Sequence, residues 1–372
     1  MSRHENDSSH PAEPARTAAA EATRASDSRS TRIAAEKAAK KTEAHADAPA
    51  SVDKRAAVVY NPIKVNIAKL RASVAAAEKT AGWQSTVWFE TSVEDPGEHV
   101  TREALEHDVD VVMAAGGDGT VRSVAEALRG TRIPLGLLPS GTGNLLARNL
   151  HLTLDDLDKS VSTAFTGRDR PIDLGVVEVQ RPDESRERFI FLVMAGLGLD
   201  AQMIANTDPE LKKRVGWIAY VDAIRKSLKG NNRLNIRYNL DGQGNRTVRV
   251  HTVLIGNCGS LPGNILLLPD AAVDDGEFDI VALRPEGFFG WVQIWVKIVW
   301  ENGVLRRSQV GRKIMSLTKE VRTLRYLKGK DLVVRLGRAE EFELDGDAFG
   351  ELVALKASVD PLALLVKVPA DS

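Results

Sequence analysis

Between Arg55 and Arg168 short apolar runs alternate with helical ones, and the joints between them are only a few residues long. "AAVVY" reads as a buried strand. "IAKLRASVAAAEKTAG" follows as a helix, with Ile67, Leu70, Val74 and Ala77 on one face and Gly82 as its stop. "STVWFE", "VDVVMAA" and "IPLGLLP" read as further strands, and "EHVTREALEHD", "TVRSVAEALRG" and a segment from Leu145 as helices. A chain with this rhythm has few ways to bury its apolar faces. It forms a parallel sheet with helices packed on its surfaces, here over residues 55–168.

After "RPIDLGVVEVQ" the rhythm changes. Strand-like runs dominate, among them "RFIFLVMAG", "RLNIRYNL", "TVRVHTVLIGN", "EFDIVAL", "DLVVRL", "EFELDG" and "ELVALKASV". "DGQGN" between two of them has the composition of a hairpin turn. Helical patches near 210–229 and 287–303 interrupt the strands. The fold class expected is α/β plus β: a parallel α/β domain, then an antiparallel β-sandwich or open barrel over 169–359. Residues 360–372 form a C-terminal segment free to return to the first domain. Residues 1–54 contain one large aliphatic before Val52, Ile33, which is too little to offset the entropy of ordering. They are expected to be a disordered tail.

The two most informative joints are rich in glycine. "MAAGGDGTVRSV" places Gly116, Gly117 and Gly119 around Asp118 where a strand turns into a helix. "LPSGTGNLLARNL" repeats the arrangement, with Gly141 and Gly143 flexible and Thr142 and Asn144 as donors. Glycine allows a sharp turn and close approach of a ligand, and the amides opening the helix favour an anion. Two such loops on neighbouring strands would share one crevice at the carboxyl edge of the sheet. A phosphate site follows, with Asp118 beside it as a carboxylate for a metal or a proton. Composition narrows the partners. A formal net charge of −1 gives no footprint for nucleic acid. The single cysteine, Cys258, excludes an intramolecular disulfide and a cysteine-based zinc site, and is expected to pack as a small buried residue.

These motifs together resemble the diacylglycerol kinase catalytic superfamily, most closely the bacterial soluble lipid kinases related to sphingosine and ceramide kinases. The residues carrying the resemblance are "NP" at 61–62, "GGDGTV" at 116–121, "PSGTGN" at 139–144, "IDLG" at 172–175, "AGLGLDA" at 195–201, "PDAAVDDGEFDIV" at 269–281 and "LDGD" at 344–347. The resemblance implies ATP in a cleft between the two domains, with Mg2+ and a lipid hydroxyl, most of all that of diacylglycerol. It implies nucleotide contacts from Asn61, from the turn Gly116, Gly117, Asp118, Gly119, Thr120, Val121 and Arg122, and from Gly141, Thr142 and Asn144, with Thr142 on the phosphates. Thr91 matches, more loosely, a threonine near the nucleotide. The proton acceptor falls on Asp347, one methylene shorter than the glutamate usual there, with Asp173 assisting and Asp118 orienting metal and nucleotide. Magnesium is implied at Asp275, with backbone carbonyls near Ala272 and Glu277. In two places the pattern departs: Lys64 and Asn66 stand where the first motif continues to a glycine, and Leu145 stands where many members have aspartate. An exposed lysine is the plainer reading of Lys64; a phosphate contact is the sharper one.

No run of about eighteen apolar residues is present, and the N-terminus lacks the apolar core of a secretory signal, so a cytoplasmic protein is expected. "FFGWVQIWVKIVWENG" at 288–303 is apolar almost all round, and nine Lys or Arg with one acid follow between Arg306 and Lys330. That pairing suggests peripheral docking on an anionic membrane face. Two other readings stay open: a kinase of a soluble substrate, as in NAD kinases, and a nucleotide- or lipid-binding protein in which Asp347 no longer acts as a base. A homodimer is also left open.

Overall fold

The computed structural model of the chain describes residues 54–141, 143–198, 233–261, 265–268, 270–284 and 324–370. Thr142, the N-terminal tail up to Asp53, the helical patches near 210–229 and 287–303 and the basic run up to residue 323 lie outside the described residues.

The first half is built on four parallel strands, β1 (Ala56–Tyr60), β2 (Val87–Glu90), β3 (Val111–Gly116) and β4 (Leu135–Pro139), in the order β4-β3-β1-β2. Both β1 and β3 are buried along their whole length, as strands covered on two faces must be. Alternate residues go to opposite cores. Val58, Met113 and Leu138 pack with Leu70 and Val74 of α1 (Ile67–Ala81) and with Val161, Ala164 and Phe165 of α5 (Leu157–Thr166). Val59, Val112, Ala114 and Leu137 pack instead with Ala104 of α2 (Glu98–Leu105) and with Val121, Val124, Ala125 and Leu128 of α3 (Asp118–Leu128). Helix ends follow local chemistry. Asn66 caps α1 by accepting from Lys69 N at 3.0 Å, and Gly82 ends it in the left-handed conformation. The helix expected from Leu145 is shorter than its sequence suggests: α4 (Leu145–Asn149) stops, and α5 starts afresh with Asp156 as its cap.

The second half is antiparallel. It contains β5 (Arg168–Gln180), β6 (Arg186–Phe191), β7 (Met194–Leu197), β8 (Leu234–Leu240), β9 (Arg246–Val250), β10 (Thr252–Gly256), β11 (Ser260–Leu261), β12 (Ile265–Leu266), β13 (Phe278–Leu283), β14 (Leu324–Gly329), β15 (Asp331–Leu344) and β16 (Asp347–Val368). Residues from nearly all the long strands, among them Val177, Phe191, Leu197, Ile236, Ile255, Phe278, Phe342 and Leu355, enclose one core, so the antiparallel sheet curls around it. The "DGQGN" turn is a hairpin between β8 and β9, with Asp241, Gly242 and Gly244 at positive φ. Cys258 is fully buried, as a small core residue would be.

One strand joins the halves. β16 pairs antiparallel with β15 and β5, passes an irregularity between Asp360 and Leu364, and then lies parallel to β4 at Val366 and Leu135. Arg129, just after α3, pairs with Asp360 at that irregularity, and Gly130 donates to Ala363 O at 3.0 Å. The first residue of β16 is Asp347. The strand that begins at the expected base is therefore also the strand that ends on the parallel sheet.

Candidate active site

β3 and β4 are neighbours whose final pair is Gly116 with Pro139, so the loops that follow leave the same edge of the sheet. Ser140 N donates to Gly116 O at 3.1 Å and ties the loops at their base. Gly116 has no room for a side chain: a methyl there would lie 2.6 Å from Thr120 Cβ. A methyl on Gly141 would lie 3.0 Å from Gly117 Cα, so the two loops touch backbone to backbone.

Asp118 locks that contact. Its two carboxylate oxygens accept from Asn144 N at 2.9 Å and from Leu145 N at 2.6 Å, which are the amides that open α4. Burial raises its pKa above the usual carboxylate value, the amides of Leu145 and Asn144 oppose that rise, and the negative charge of Asp347 adds to it. Asp118 thus holds one glycine loop onto the other. Asp118 is expected from its motif to orient metal and nucleotide rather than simply shape the turn; the structure shows that it does shape the turn, each of its oxygens accepting one backbone hydrogen bond. A side chain at Gly143 would strike the Asp118 carboxylate. The glycine of the second loop is fixed by the aspartate of the first.

Asn61 and Thr91 lie along the same edge. Asn61 N donates to Ala115 O at 2.9 Å, and Asn61 Oδ1 accepts from the amides of Ile63 and Lys64. That side-chain turn presents Lys64, whose Nζ would be 2.6 Å from a methyl on Gly117. Lys64 is exposed, and its ammonium also sits against the glycine turn. Thr91 is buried, and its hydroxyl has no hydrogen-bond partner among the described residues. Thr120 is buried, Val121 packs in the core, and Val121 N donates to Gly117 O at 3.0 Å. The residue at the N-cap of α3 is Gly117, which supplies no side-chain cap to the helix's first amides.

The second half contributes one turn. Asp345 and Gly346, both at positive φ, form the two-residue loop between β15 and β16, with Leu344 paired to Asp347. Asp345 is more than a turn residue. It is buried, and its carboxylate accepts from Leu192 N at 3.0 Å, Val193 N at 2.8 Å and Met194 N at 3.1 Å. Burial raises its pKa, against the pull of Arg122 and these amides. Arg122 bridges the halves. It donates to Leu344 O at 2.9 Å and to Asp347 Oδ2 at 2.9 Å, approaches Asp345 Oδ2 at 3.8 Å, and lies over the Phe349 ring at 4.7 Å. Asp347 Oδ2 in turn is 3.1 Å from where a methyl on Gly119 would stand. The first turn of α3 and the Asp347 carboxylate face each other at contact distance, and the Asp347 side chain is 53% exposed.

Two expectations come out differently. Asp173 is 0% exposed, and its oxygens accept from Leu362 N and Gly276 N, both at 2.7 Å. Its backbone carbonyl accepts from Asn257. It pins the 274–276 turn to the irregular part of β16, and it has neither a free oxygen nor access to solvent for an assisting role in catalysis. Arg170, close to it in sequence, pairs with Asp274 at 2.8 Å. The turn expected to hold magnesium through Asp275, Ala272 and Glu277 is also arranged differently. Asp275 Oδ2 is 3.2 Å from Lys328 Nζ, and Asp275 Oδ1 accepts from Glu277 N at 3.1 Å. Among the described residues no group of three or more His, Cys, Asp or Glu side chains is placed to hold a metal. The Lys328 ammonium stands on Asp275, the one side chain of the expected set, and so arranged that set does not fit a divalent ion. Lys64 is singled out in the sequence for a phosphate contact, and it lies against the glycine turn; Lys328 is given no site role there, its only signal being a positive charge in the basic run.

Comparison with known proteins agrees with this architecture. Residues 55–177 match the family model of the diacylglycerol kinase catalytic domain. Diacylglycerol kinase of Bacillus subtilis is 29% identical over 248 residues, covering 65% of this chain and 77% of its own. The Pseudomonas aeruginosa protein named probable lipid kinase YegS-like is 31% identical over 312 residues, covering 82% of this chain and 91% of its own. A solved Bacillus anthracis structure of a diacylglycerol kinase superposes with a TM-score of 0.57 at 16% identity, over 84% of this chain and 96% of that one, a likeness of fold. No helix among the described residues is long and apolar enough to cross a membrane. The chain belongs to the diacylglycerol kinase catalytic-domain superfamily and is a lipid kinase.

Proposed function

We propose that the protein transfers the γ-phosphoryl group of ATP to the free hydroxyl of diacylglycerol, giving phosphatidic acid and ADP. The observation that carries this reading is the meeting of Asp347 with the first turn of α3 across the two halves. Phosphoryl transfer needs charge neutralisation and in-line positioning more than covalent chemistry. The open amides of α3, the bare backbone at Gly117 and Gly141, and the Lys64 ammonium form a cradle for phosphates. Arg122 supplies a second cation beside it. Asn61, Thr91 with its unpartnered hydroxyl, and the loop carrying Thr142 and Asn144 extend the cradle along the sheet edge for the rest of the nucleotide.

In this reading the lipid oxygen attacks the γ-phosphorus as the bond to the β–γ bridging oxygen breaks. The hydroxyl proton passes to Asp347, which is exposed enough to reach it. Arg122 holds Asp347 until the γ-phosphate draws the guanidinium toward itself, which frees the carboxylate as the donor arrives. The two lysines have different duties: Lys64 meets phosphate, while Lys328 is committed to the acidic turn. We place the protein peripherally at the inner face of the membrane, a location supported by the apolar 288–303 segment and the basic run after it.

The test is a panel assay with labelled ATP against diacylglycerol, sphingosine, ceramide and NAD. Label in phosphatidic acid alone supports the proposal. Label in a phosphorylated sphingoid or ceramide moves the assignment within lipid kinases, and label in NADP contradicts it. ATP binding with no labelled product would favour a binding protein whose shortened Asp347 no longer accepts the proton.

A further inference from the structure

We propose that Lys328 is a built-in cation for the acidic turn between Asp270 and Asp279, filling with an ammonium the place a divalent metal would otherwise take.

β13 and β14 are antiparallel, and Asp279 and Lys328 are direct partners in their register. From that position Lys328 Nζ reaches Asp279 Oδ2 at 3.2 Å, Asp275 Oδ2 at 3.2 Å and Asp270 O at 3.0 Å. The ammonium donates hydrogen bonds to Asp270 O and Asp275 Oδ2 and makes an ion pair with Asp279 Oδ2, so two oxygens of the turn and one from the start of β13 converge on it. Oxygens converging in this way, two of them carboxylate, are also what a hard divalent cation seeks. The two occupants exclude each other, because the ammonium sits on the same oxygens a metal would need.

The charges support a single cation supplied by the chain itself. Asp274 is neutralised by Arg170 at 2.8 Å, leaving Asp275 and Asp279 to share Lys328. Burial raises the pKa of Asp279, and Lys328 pulls it back. The acids in turn raise the pKa of Lys328 although its own burial opposes that. The ammonium therefore stays charged where it is needed. The other side of the turn is fixed by Asp173, which accepts from Gly276 N, so the turn is held from both faces by groups of the chain itself. Lys328 also belongs to the basic run: one cation counted toward a membrane surface is paired with acids of its own chain, although its side chain is 38% exposed.

This inference goes beyond the transfer reaction, and its test uses neither nucleotide nor lipid. The melting temperature of the full chain is measured in EDTA and in millimolar magnesium, for wild type, Lys328→Met and Lys328→Met with Asp275→Asn. The wild type is expected to melt at the same temperature in both buffers. Lys328→Met is expected to melt about 5 °C lower in EDTA, with magnesium restoring at least half of the loss. The double variant is expected to show no magnesium response. The inference is overturned if magnesium raises the wild-type melting temperature, or if Lys328→Met gains nothing from magnesium. Should Lys328→Met not fold in either buffer, the wild type decides alone: saturable manganese binding to the nucleotide-free protein, seen by electron paramagnetic resonance and removed by Asp275→Asn, contradicts the inference, and the absence of such binding upholds it.

Discussion

The glycine loops after β3 and β4 and the turns of the antiparallel half differ in how their charges are satisfied. The glycine loops give the first amides of α3 no side-chain cap and keep a single acid, Asp118, whose oxygens tie one loop to the other. The 344–347 and 270–279 turns are rich in acids, and several are matched from a distance: Asp345 by three amides and Arg122, Asp274 by Arg170, Asp275 and Asp279 by Lys328. Asp347 pairs with Arg122 too, yet it is 53% exposed and faces the first turn of α3. One region carries a single acid that ties its loops together, while the other sets its acids against amides and cations of the chain.

The sharpest way to break this contrast is at Gly143. Any side chain there strikes Asp118 and parts the two loops. Gly143→Val should lower kcat/KM for ATP by about a hundredfold or more, since a misplacement of about 1 Å costs that much. Normal steady-state kinetics in this variant would show that the loops need not touch. The next largest effect concerns Arg122. Arg122→Ala removes the ion pair with Asp347 and the bond to Leu344 O, and should lower kcat/KM about tenfold to a hundredfold, with partial rescue by free guanidinium. Loss of melting temperature without kinetic change would make Arg122 a strut only.

Asp173 separates structure from chemistry. Asp173→Ala leaves the amides of Gly276 and Leu362 without acceptors in the interior, which should cost about 2–4 kcal/mol in urea unfolding. At a temperature where it stays folded, its kcat should fall no more than about threefold. A hundredfold loss with unchanged stability would return Asp173 to the reaction. The smallest effect is a pH slope. Folded Asp118 binds its proton more tightly than the unfolded chain does, so its contribution is fully present below 3.8 and is lost as pH rises from there through its raised value. Asp118→Asn should therefore flatten the fall of stability as pH rises above 3.8. Identical slopes in both proteins would remove the burial argument.

The parallel half was legible because each of its units is local. A strand, a glycine turn and a helix are written within a dozen residues, and the periodicity places their faces. The antiparallel half was legible in strand content but not in pairing. "RFIFLVMAG" reads as one strand, yet it breaks at Leu192 and Val193 because their amides serve Asp345, about 150 positions away in the chain. Asp360 and Pro361 read as the end of a strand, yet β16 continues through them, with Leu362 at φ +52. Of the site, Asp347 and the glycines could be named from their motifs. The duties of Asp118 and Asp173 could not, because a motif shows that a carboxylate is present and not which amides it accepts. Lys328 had no signal beyond charge; only the register of β13 with β14 sets it opposite Asp279.

The most direct measurement compares wild type with Asp347→Asn in the labelled-ATP assay on diacylglycerol micelles, alongside ATP binding by each. The account predicts labelled phosphatidic acid from the wild type, at least about a hundredfold lower kcat in the variant, and similar ATP affinity in both. Equal turnover by the two proteins would contradict it and remove Asp347 from the reaction.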